Sequence, residues 1–175
     1  MDRGYSIDEH RRMNVLLDCM PLDTATLVTL QFKIDTGADF TTISRSDLLK
    51  LGYDAAWIKT NGRLITGGAS TADGNVAESY VIKFPLFNLS GLDFRSWPMF
   101  VLFDSVCECG KVTNRDYRNL LGNDVIDMFD LARYARRGSF ELVPSPAFVI
   151  SNKIFDDQVV DAITDVHQDA TPEKQ

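Results

Sequence analysis

Cysteine and histidine are scarce in this 175-residue chain, which contains three cysteines and two histidines. An odd and sparse set of cysteines does not form a disulfide framework, so the simplest interpretation is free thiols in a reducing cytosol. Cys107 and Cys109 lack a second pair with the spacing of a zinc site, and both histidines (His10 and His167) lie near the termini. We therefore expect a cytoplasmic protein without a structural metal.

Long apolar runs and a basic surface are also missing. No stretch approaches the roughly 18–20 apolar residues that cross a bilayer, and residues 1–6 lack the basic and then apolar build of a secretory signal. The net charge is −7, and residues 156–175 hold six acidic residues against one basic residue, so the acidity belongs mostly to the C-terminal tail. We expect neither a membrane nor a nucleic-acid partner, because nucleic-acid binding favours a basic face.

Short apolar segments separated by turn signals make up most of the chain. Residues 26–34 alternate so that Leu30, Phe32 and Ile34 share one face of a strand. Further strands are predicted at 13–19, 41–43, 63–66, 79–84 (closing at Pro85) and 86–103 with a turn at 88–91, and a last hairpin at 131–143. Short helices are predicted at 44–51 and 125–129, and an amphipathic helix at 155–166. The pattern predicts an all-β domain with one or two short helices, plus a C-terminal amphipathic helix.

The strand at residues 26–34 leads directly into Asp35-Thr36-Gly37, a motif that occurs once in the chain. Peptide hydrolysis by carboxylates needs a water held between two acids, one ionised and one protonated. Two carboxylates about 3 Å apart share one proton because both cannot ionise cheaply, as the aspartic proteases illustrate. One motif per chain supplies half of this pair, and a twofold axis would supply the other half. The sequence therefore predicts a homodimer with the site on its axis.

Two further segments place the motif in a wider pattern. A Gly-rich hairpin follows at residues 64–80, and Leu120-Leu121-Gly122-Asn123-Asp124 precedes a predicted short helix. Together with Asp35-Thr36-Gly37-Ala38-Asp39, these segments resemble the retropepsin-like (retroviral-type) aspartic proteases and their cellular and bacterial members. The resemblance covers roughly residues 24–143. It implies a closed antiparallel β-barrel, a homodimer, a protein or peptide substrate, and no cofactor.

The resemblance also implies roles for individual residues. Asp35 would be the catalytic acid or base of each subunit, Thr36 would make a hydroxyl contact across the axis, and Gly37 would contact the substrate backbone. Five further residues would bind the substrate, from the cleft and from the flap: Ala38, Asp39, Thr66, Gly67 and Gly68. The flap would be residues 66–74, and residues 120–122 would support the Asp35 turn from below.

Four hydrophobic residues are candidates for substrate side-chain pockets, although membership of the core is the more common role for such residues. They are Ile65, Val101, Phe103 and Val125.

Some features depart from the family pattern. Viral members carry an arginine after the Leu-Gly step, where it pairs with the acid that matches Asp39. Asn123 stands there in this chain and cannot form that ion pair, which favours a cellular subgroup. Residues 104–119 form a longer segment than a viral protease needs.

We assign an N-terminal extension at 1–23, the protease domain at 24–146, and a C-terminal helix with an acidic tail at 147–175.

Two other functions use the same residues. Asp35, Gly37 and Thr41 or Thr42 fit the phosphate-binding hairpins of actin-like ATPases and sugar kinases, but those folds need two large lobes, for which this chain is too short. A catalytically silent retropepsin-like domain would serve for dimerisation or peptide binding, with Asp35 as a structural turn residue. We predict an aspartic endopeptidase in which two Asp35 carboxylates activate a water across a homodimer axis.

Overall fold

The computed structural model describes residues 5–7, 12–70, 76–106, 112–113, 117–134 and 139–145. The strands are β1 (Tyr5–Ile7), β2 (Met13–Cys19), β3 (Val28–Ile34), β4 (Arg63–Leu64), β5 (Ala69–Ser70), β6 (Val76–Leu89), β7 (Leu92–Val106), β8 (Val112–Thr113), β9 (Leu120–Leu121), β10 (Phe129–Tyr134) and β11 (Ser139–Pro144). The helices are α1 (Arg45–Lys50), α2 (Ala55–Asn61) and α3 (Asn123–Ile126). The predicted C-terminal helix and residues 71–74 of the predicted flap lie outside the described residues.

Most of the strands belong to one sheet, in the order β8-β7-β6-β2-β3-β9, with β1 beside β2 and with β4 and β5 beside β6. β10 and β11 form a separate antiparallel hairpin, as predicted for residues 131–143. β3 and β9 pair in parallel, with Lys33 opposite Leu120 and Ile34 opposite Leu121. This pairing brings the residues that follow β3 next to the residues that follow β9.

The predicted closed antiparallel barrel is wrong, because in the described residues the sheet has β8 at one end and β9 at the other and does not close. Residues 41–43, which were predicted to return to the sheet, make only single bridges, from Thr42 to Phe100 and from Thr42 to Leu120. A longer ladder has no room to form, since Ser44 caps α1 directly after this segment. The pairing of β3 with β9 is also parallel rather than antiparallel.

Alternation along β2 and β3 places one face of each strand in the core. Leu30, Phe32 and Ile34 are buried, as the sequence predicted, and the intervening Thr29 and Gln31 are exposed. β2 keeps its predicted bounds and contributes three buried residues from the same alternating pattern: Val15, Leu17 and Cys19. The domain boundaries at residues 24 and 147 stay predictions.

The long hairpin of β6 and β7 runs past Pro85, so the predicted end of a strand at this proline is wrong. The register is the same on both sides of the proline, with Phe84 opposite Trp97 and Leu86 opposite Arg95, and no ladder pair forms at Pro85 itself. Proline has no N–H to donate, so a strand tolerates it at a position that makes no ladder pair.

The turn of this hairpin lies within the predicted residues 88–91. Ser90 and Gly91 have φ values of 54° and 83°, and Leu89 pairs with Leu92 on either side. Two consecutive residues with positive φ are typical of the two-residue turns that match the twist of a hairpin. Asn88 Oδ1 accepts a hydrogen bond from Gly91 N at 3.1 Å and closes the turn.

The described residues contain three short helices rather than one or two. α1 is the helix predicted at 44–51, and Gly52 follows it with a φ of 89°. α3 begins two residues before the predicted helix at 125–129, and Phe129 already starts β10. α2 was not predicted; Asp54 caps it by accepting a hydrogen bond from Trp57 N at 2.7 Å.

The four hydrophobic residues considered for substrate pockets are buried. Three of them belong to the main core: Val101, Phe103 and Val125. Ile65 instead joins a small cluster with Val81, Phe100 and the partly buried Phe40. Core packing therefore accounts for all four.

Candidate active site

β3 leads into a tight turn, residues 35–40, which we call the Asp35 turn. Asp35 N donates to Leu121 O at 3.0 Å, and Ala38 N donates to Asp35 O at 3.0 Å. The Asp35 carboxylate accepts a hydrogen bond on Oδ1 from Gly37 N at 3.1 Å and one on Oδ2 from Lys33 Nζ at 2.7 Å. The sheet and the turn thus fix the backbone of Asp35, and each carboxylate oxygen has a donor.

The contacts of the Asp35 carboxylate favour its ionised form. The hydrogen bond from Lys33 lowers the pKa of Asp35, and the Gly37 N–H and the charge of Lys33 act in the same direction, against partial burial. The side chain of Asp35 is 28% exposed, so other molecules can reach it. An ionised and accessible carboxylate is suited to accept a proton from water.

Residues 120–124, here called the Gly122 loop, lie against the Asp35 turn. Asn123 N donates to Ala38 O at 2.9 Å, and Asp124 N donates to Asp39 O at 3.1 Å. The Asn123 side chain adds a bond from Nδ2 to Thr36 O at 3.1 Å. The residue that stands in place of the viral arginine therefore binds the Asp35 turn within its own chain.

Gly122 is the point of closest approach between the two segments. A Cβ at this position would lie 2.4 Å from the carbonyl carbon of Phe40 and 2.6 Å from its oxygen. Gly122 N also donates to Thr41 Oγ1 at 3.2 Å. Backbone packs on backbone here, so a residue with a side chain would displace the end of the Asp35 turn.

A second carboxylate, that of Asp124, lies behind the turn. It accepts hydrogen bonds from Thr41 Oγ1 at 2.8 Å and from Trp97 Nε1 at 3.2 Å. Burial raises the pKa of Asp124, although the bonds from Thr41 and Trp97 oppose this shift. Asp124 therefore links the Gly122 loop to Thr41 and to Trp97 of β7.

The other predicted residues of the Asp35 turn are open to solvent. Thr36 and Asp39 are exposed, and Ala38 is half-buried. Within the described part of the chain, the Thr36 hydroxyl and the Asp39 carboxylate make no hydrogen bond or ion pair. Both groups are available to another molecule.

Thr66, Gly67 and Gly68 form the turn between β4 and β5. Gly67 and Gly68 have φ values of 86° and 70°, and Gly68 N donates to Ile65 O at 3.1 Å. A Cβ on Gly68 would lie 2.5 Å from the backbone oxygen of Ala77 in β6. Glycine is therefore required where this turn folds onto β6.

Among the described contacts, none joins this glycine turn directly to the Asp35 turn, but a small hydrophobic cluster links their bases. Ile65 precedes the glycine turn and Phe40 ends the Asp35 turn, and both pack in the cluster with Phe100. The rings of Phe40 and Phe100 stack with centroids 4.6 Å apart. The structure thus connects the two sequence motifs through their hydrophobic bases.

Other candidate chemistry is limited in the described residues. No group of three or more His, Cys, Asp or Glu side chains in those ranges could hold a metal ion, and no helix there is long and apolar enough to cross a membrane. Burial raises the pKa of the Cys19 thiol to about 12, which keeps it protonated. Four residues weighed for metal binding lie outside the described residues: His10, Cys107, Cys109 and His167.

Comparison with known proteins decides the family. A model of the aspartyl protease family matches residues 24–125, which is more than half of the chain. The chain belongs to the aspartyl protease family. The matched range includes the Asp35 turn, the glycine turn and the Gly122 loop. No curated protein shows a significant match to the chain.

The fold of this aspartyl protease family member is retropepsin-like. Its structure is similar to the crystal structure of a retropepsin-like aspartic protease from Rickettsia conorii, with a TM-score of 0.50 and 16% sequence identity. The similarity covers 79% of this chain and 86% of that chain. At this identity the likeness concerns the fold alone.

Two residues of the site were given no role of their own from the sequence of this family member. Lys33 gave a signal, because residues two apart on a strand lie on the same face, which places it beside Asp35. Asp124 belongs to the motif at residues 120–124, but its contacts were not predicted, since its partners Thr41 and Trp97 are 83 and 27 residues away.

Proposed function

We propose that the protein is an aspartic endopeptidase whose active site forms between two copies of the chain. The observation that carries this proposal is the Asp35 carboxylate, which is ionised, partly exposed and held on a glycine turn. In the described chain its contacts are Lys33 and Gly37, and neither supplies the second acid that the chemistry needs. A second copy of Asp35 across a twofold axis would supply that acid.

The reaction then divides between the two carboxylates. The ionised Asp35 accepts a proton from a water as the water oxygen attacks the peptide carbonyl carbon. The protonated Asp35 of the other subunit donates its proton to the carbonyl oxygen. The first Asp35 then passes the proton that it took from water to the leaving nitrogen as the C–N bond breaks, and the second Asp35 takes a proton back from a hydroxyl of the diol as the carboxyl product forms. The two acids share one proton because both cannot ionise cheaply at close range. No metal or organic cofactor is needed for these steps.

Exposed groups around Asp35 support the remaining roles. The free hydroxyl of Thr36 is suited to the contact across the axis, and the free carboxylate of Asp39 is suited to bind peptide N–H groups. Gly37 and Ala38 would line the floor of the cleft.

The glycine turn is suited to the role of a flap base. Thr66 and Gly67 are exposed there, and Gly68 lies against β6. Since this turn and the Asp35 turn share a hydrophobic base, a peptide held between them would contact both. We therefore expect a protein or peptide substrate. The odd and sparse set of cysteines favours an enzyme located in the cytoplasm.

Cleavage of a denatured protein, measured against enzyme concentration, tests this proposal. We expect the specific activity to fall on dilution as the dimer dissociates, and Asp35→Asn to abolish cleavage while the fold is kept. Asp93→Asn is the matched control, because Asp93 is an exposed acid whose contacts are Arg95 and Asn88 in the β6–β7 hairpin. This variant should cleave like the parent.

Mixing the parent with excess Asp35→Asn chain sharpens the test. Mixed dimers hold one functional carboxylate, so the activity should fall below that of the same concentration of parent without the variant. Activity that is independent of both dilution and mixing would contradict a shared site. A folded dimer that cleaves nothing between acidic and neutral pH would indicate a peptide-binding or dimerisation module instead.

A further inference from the structure

The cation closest to the candidate catalytic acid comes from the same strand. Lys33 Nζ lies 2.7 Å from Asp35 Oδ2, and the two side chains are 33% and 28% exposed. Strand geometry fixes this arrangement, because Lys33 and Asp35 are two residues apart and share a face. The Lys33 backbone is itself fixed, since Lys33 N donates to Asn119 O at 3.0 Å beside the parallel pairing with β9.

Few charged groups other than Lys33 face Asp35 from the neighbouring elements. Asp39 belongs to the same turn and is exposed. Asp124 in α3 directs its carboxylate to Thr41 and Trp97. Asn123, which also packs on the turn, is neutral. Within the described chain, the charge that acts on Asp35 is therefore that of Lys33, together with the N–H dipole of Gly37.

We propose that Lys33 is a positioning residue for the reaction: its ammonium group keeps Asp35 ionised and orients Oδ2, and it thereby sets the pH range in which two Asp35 carboxylates share a proton. This inference rests on the proposed endopeptidase function. In a symmetric pair, each subunit brings its own Lys33, so two cations act on the two acids. The shared proton is then lost at a lower pH than it would be without the lysines.

The size of this effect is limited by solvent. An opposite charge at hydrogen-bonding distance lowers an aspartate pKa by roughly 1–3 units. Lys33 also lines an open polar cleft of about 340 Å³ together with Asp47, Lys50 and Tyr117, so water reaches the pair. We therefore expect the effect of Lys33 on the pKa of Asp35 to be smaller than that of a fully buried ion pair.

Titration of Asp35 and the pH–rate profile together test the inference. The ¹³C carboxyl resonance of Asp35, assigned by its loss in Asp35→Asn, is followed against pH in the parent, Lys33→Met and Lys33→Arg. We expect Lys33→Met to raise the midpoint, because the cation beside Asp35 is lost, and Lys33→Arg to keep it near that of the parent. The alkaline limb of the pH–rate profile should move up with the midpoint in Lys33→Met.

Lys50→Met is the matched control. It removes a lysine from the same cleft, where Lys50 Nζ lies 2.6 Å from Asp47 Oδ1. Asp35 and the pH–rate profile should behave as in the parent. Unfolding in urea checks that each variant is folded. Lys33→Gln, which also removes the charge, replaces Lys33→Met if that variant does not fold.

The outcomes separate this inference from the proposed function. If the parent cleaves peptides but Asp35 titrates alike in the parent and in Lys33→Met, the role of Lys33 is wrong and the function stands. The same holds if Lys50→Met moves the titration as much as Lys33→Met. If the parent cleaves nothing, the endopeptidase proposal fails, and the role of Lys33 in the reaction fails with it.

Discussion

Replacing Gly122 by alanine tests whether the Gly122 loop packs directly against the backbone at the end of the Asp35 turn. The added Cβ would lie 2.4 Å from the Phe40 carbonyl carbon and 2.8 Å from Thr41 N. Carbon atoms in contact normally lie about 3.5–4.0 Å apart, so the Phe40 backbone must move by roughly 1 Å. No flexible side chain can absorb this shift, because the atoms concerned belong to the backbone.

The cost of Gly122→Ala follows from what the shift disturbs. Overpacking of a well-packed site costs roughly 1–3 kcal/mol. The hydrogen bonds from Asn123 N to Ala38 O and from Asp124 N to Asp39 O, at 2.9 and 3.1 Å, span the same contact. Each is worth about 1 kcal/mol, so losing one of them brings the expected loss of unfolding free energy to about 3 kcal/mol.

Urea unfolding of the parent and Gly122→Ala measures this loss. Gly91→Ala is the control, because a Cβ on Gly91 meets no atom within 4 Å and the cost is limited to its φ of 83°. We expect about 1 kcal/mol for Gly91→Ala. Cleavage by Gly122→Ala should fall by roughly 100-fold even where it is folded, because the Asp35 turn has moved. Equal stability losses in the two variants, or a fully active Gly122→Ala, would refute the reasoning.

Three further substitutions test neighbouring parts of the site. Burial raises the pKa of Asp124 in the folded state, so the folded chain holds this proton more tightly than the unfolded chain. The associated stability is present below about pH 4 and is lost as pH rises through the folded pKa. The unfolding free energy of Asp124→Asn, measured in urea from pH 3 to 7, should lack this decline. Asn123→Ala removes the 3.1 Å hydrogen bond to Thr36 O and should lower the unfolding free energy in urea by about 0.5–1 kcal/mol. It should also lower kcat/KM, and an unchanged kcat/KM would show that this bond does not position the Asp35 turn. Gly68→Ala should destabilise the protein by about 2 kcal/mol, because its Cβ would meet a backbone oxygen of β6 at 2.5 Å. Gly67→Ala, with open space around it, should cost about half as much, and the reverse order in thermal unfolding would contradict the packing of the glycine turn.

The parts of the fold that the sequence predicted well are local ones. The alternation around Leu30 and Phe32 fixed β3, and the cap at Ser44 with Gly52 beyond it fixed α1. The turn at Asp35 follows from the same local pattern, because β3 ends one residue before it. Lys33 could have been identified on the same grounds.

The parts that the sequence did not predict depend on distant contacts. Closure of the barrel failed because Thr42 makes only single bridges, and nothing in residues 41–43 shows how far a ladder will extend. The carboxylate of Asp124 meets Trp97 only after β7 and α3 have packed. Pro85 seemed to end a strand, although its compatibility with β6 depends on the register with β7.

The bonds between the Asp35 turn and the Gly122 loop have a consequence for biosynthesis. Asn123 reaches back 87 residues to Thr36, and Asp35 N depends on the carbonyl of Leu121. When only the first hundred residues have been synthesised, Asp35 has its local bonds to Lys33 and Gly37 but lacks those from the Gly122 loop. During synthesis, the Asp35 turn can therefore reach its full set of hydrogen bonds only after residues 120–124 have left the ribosome.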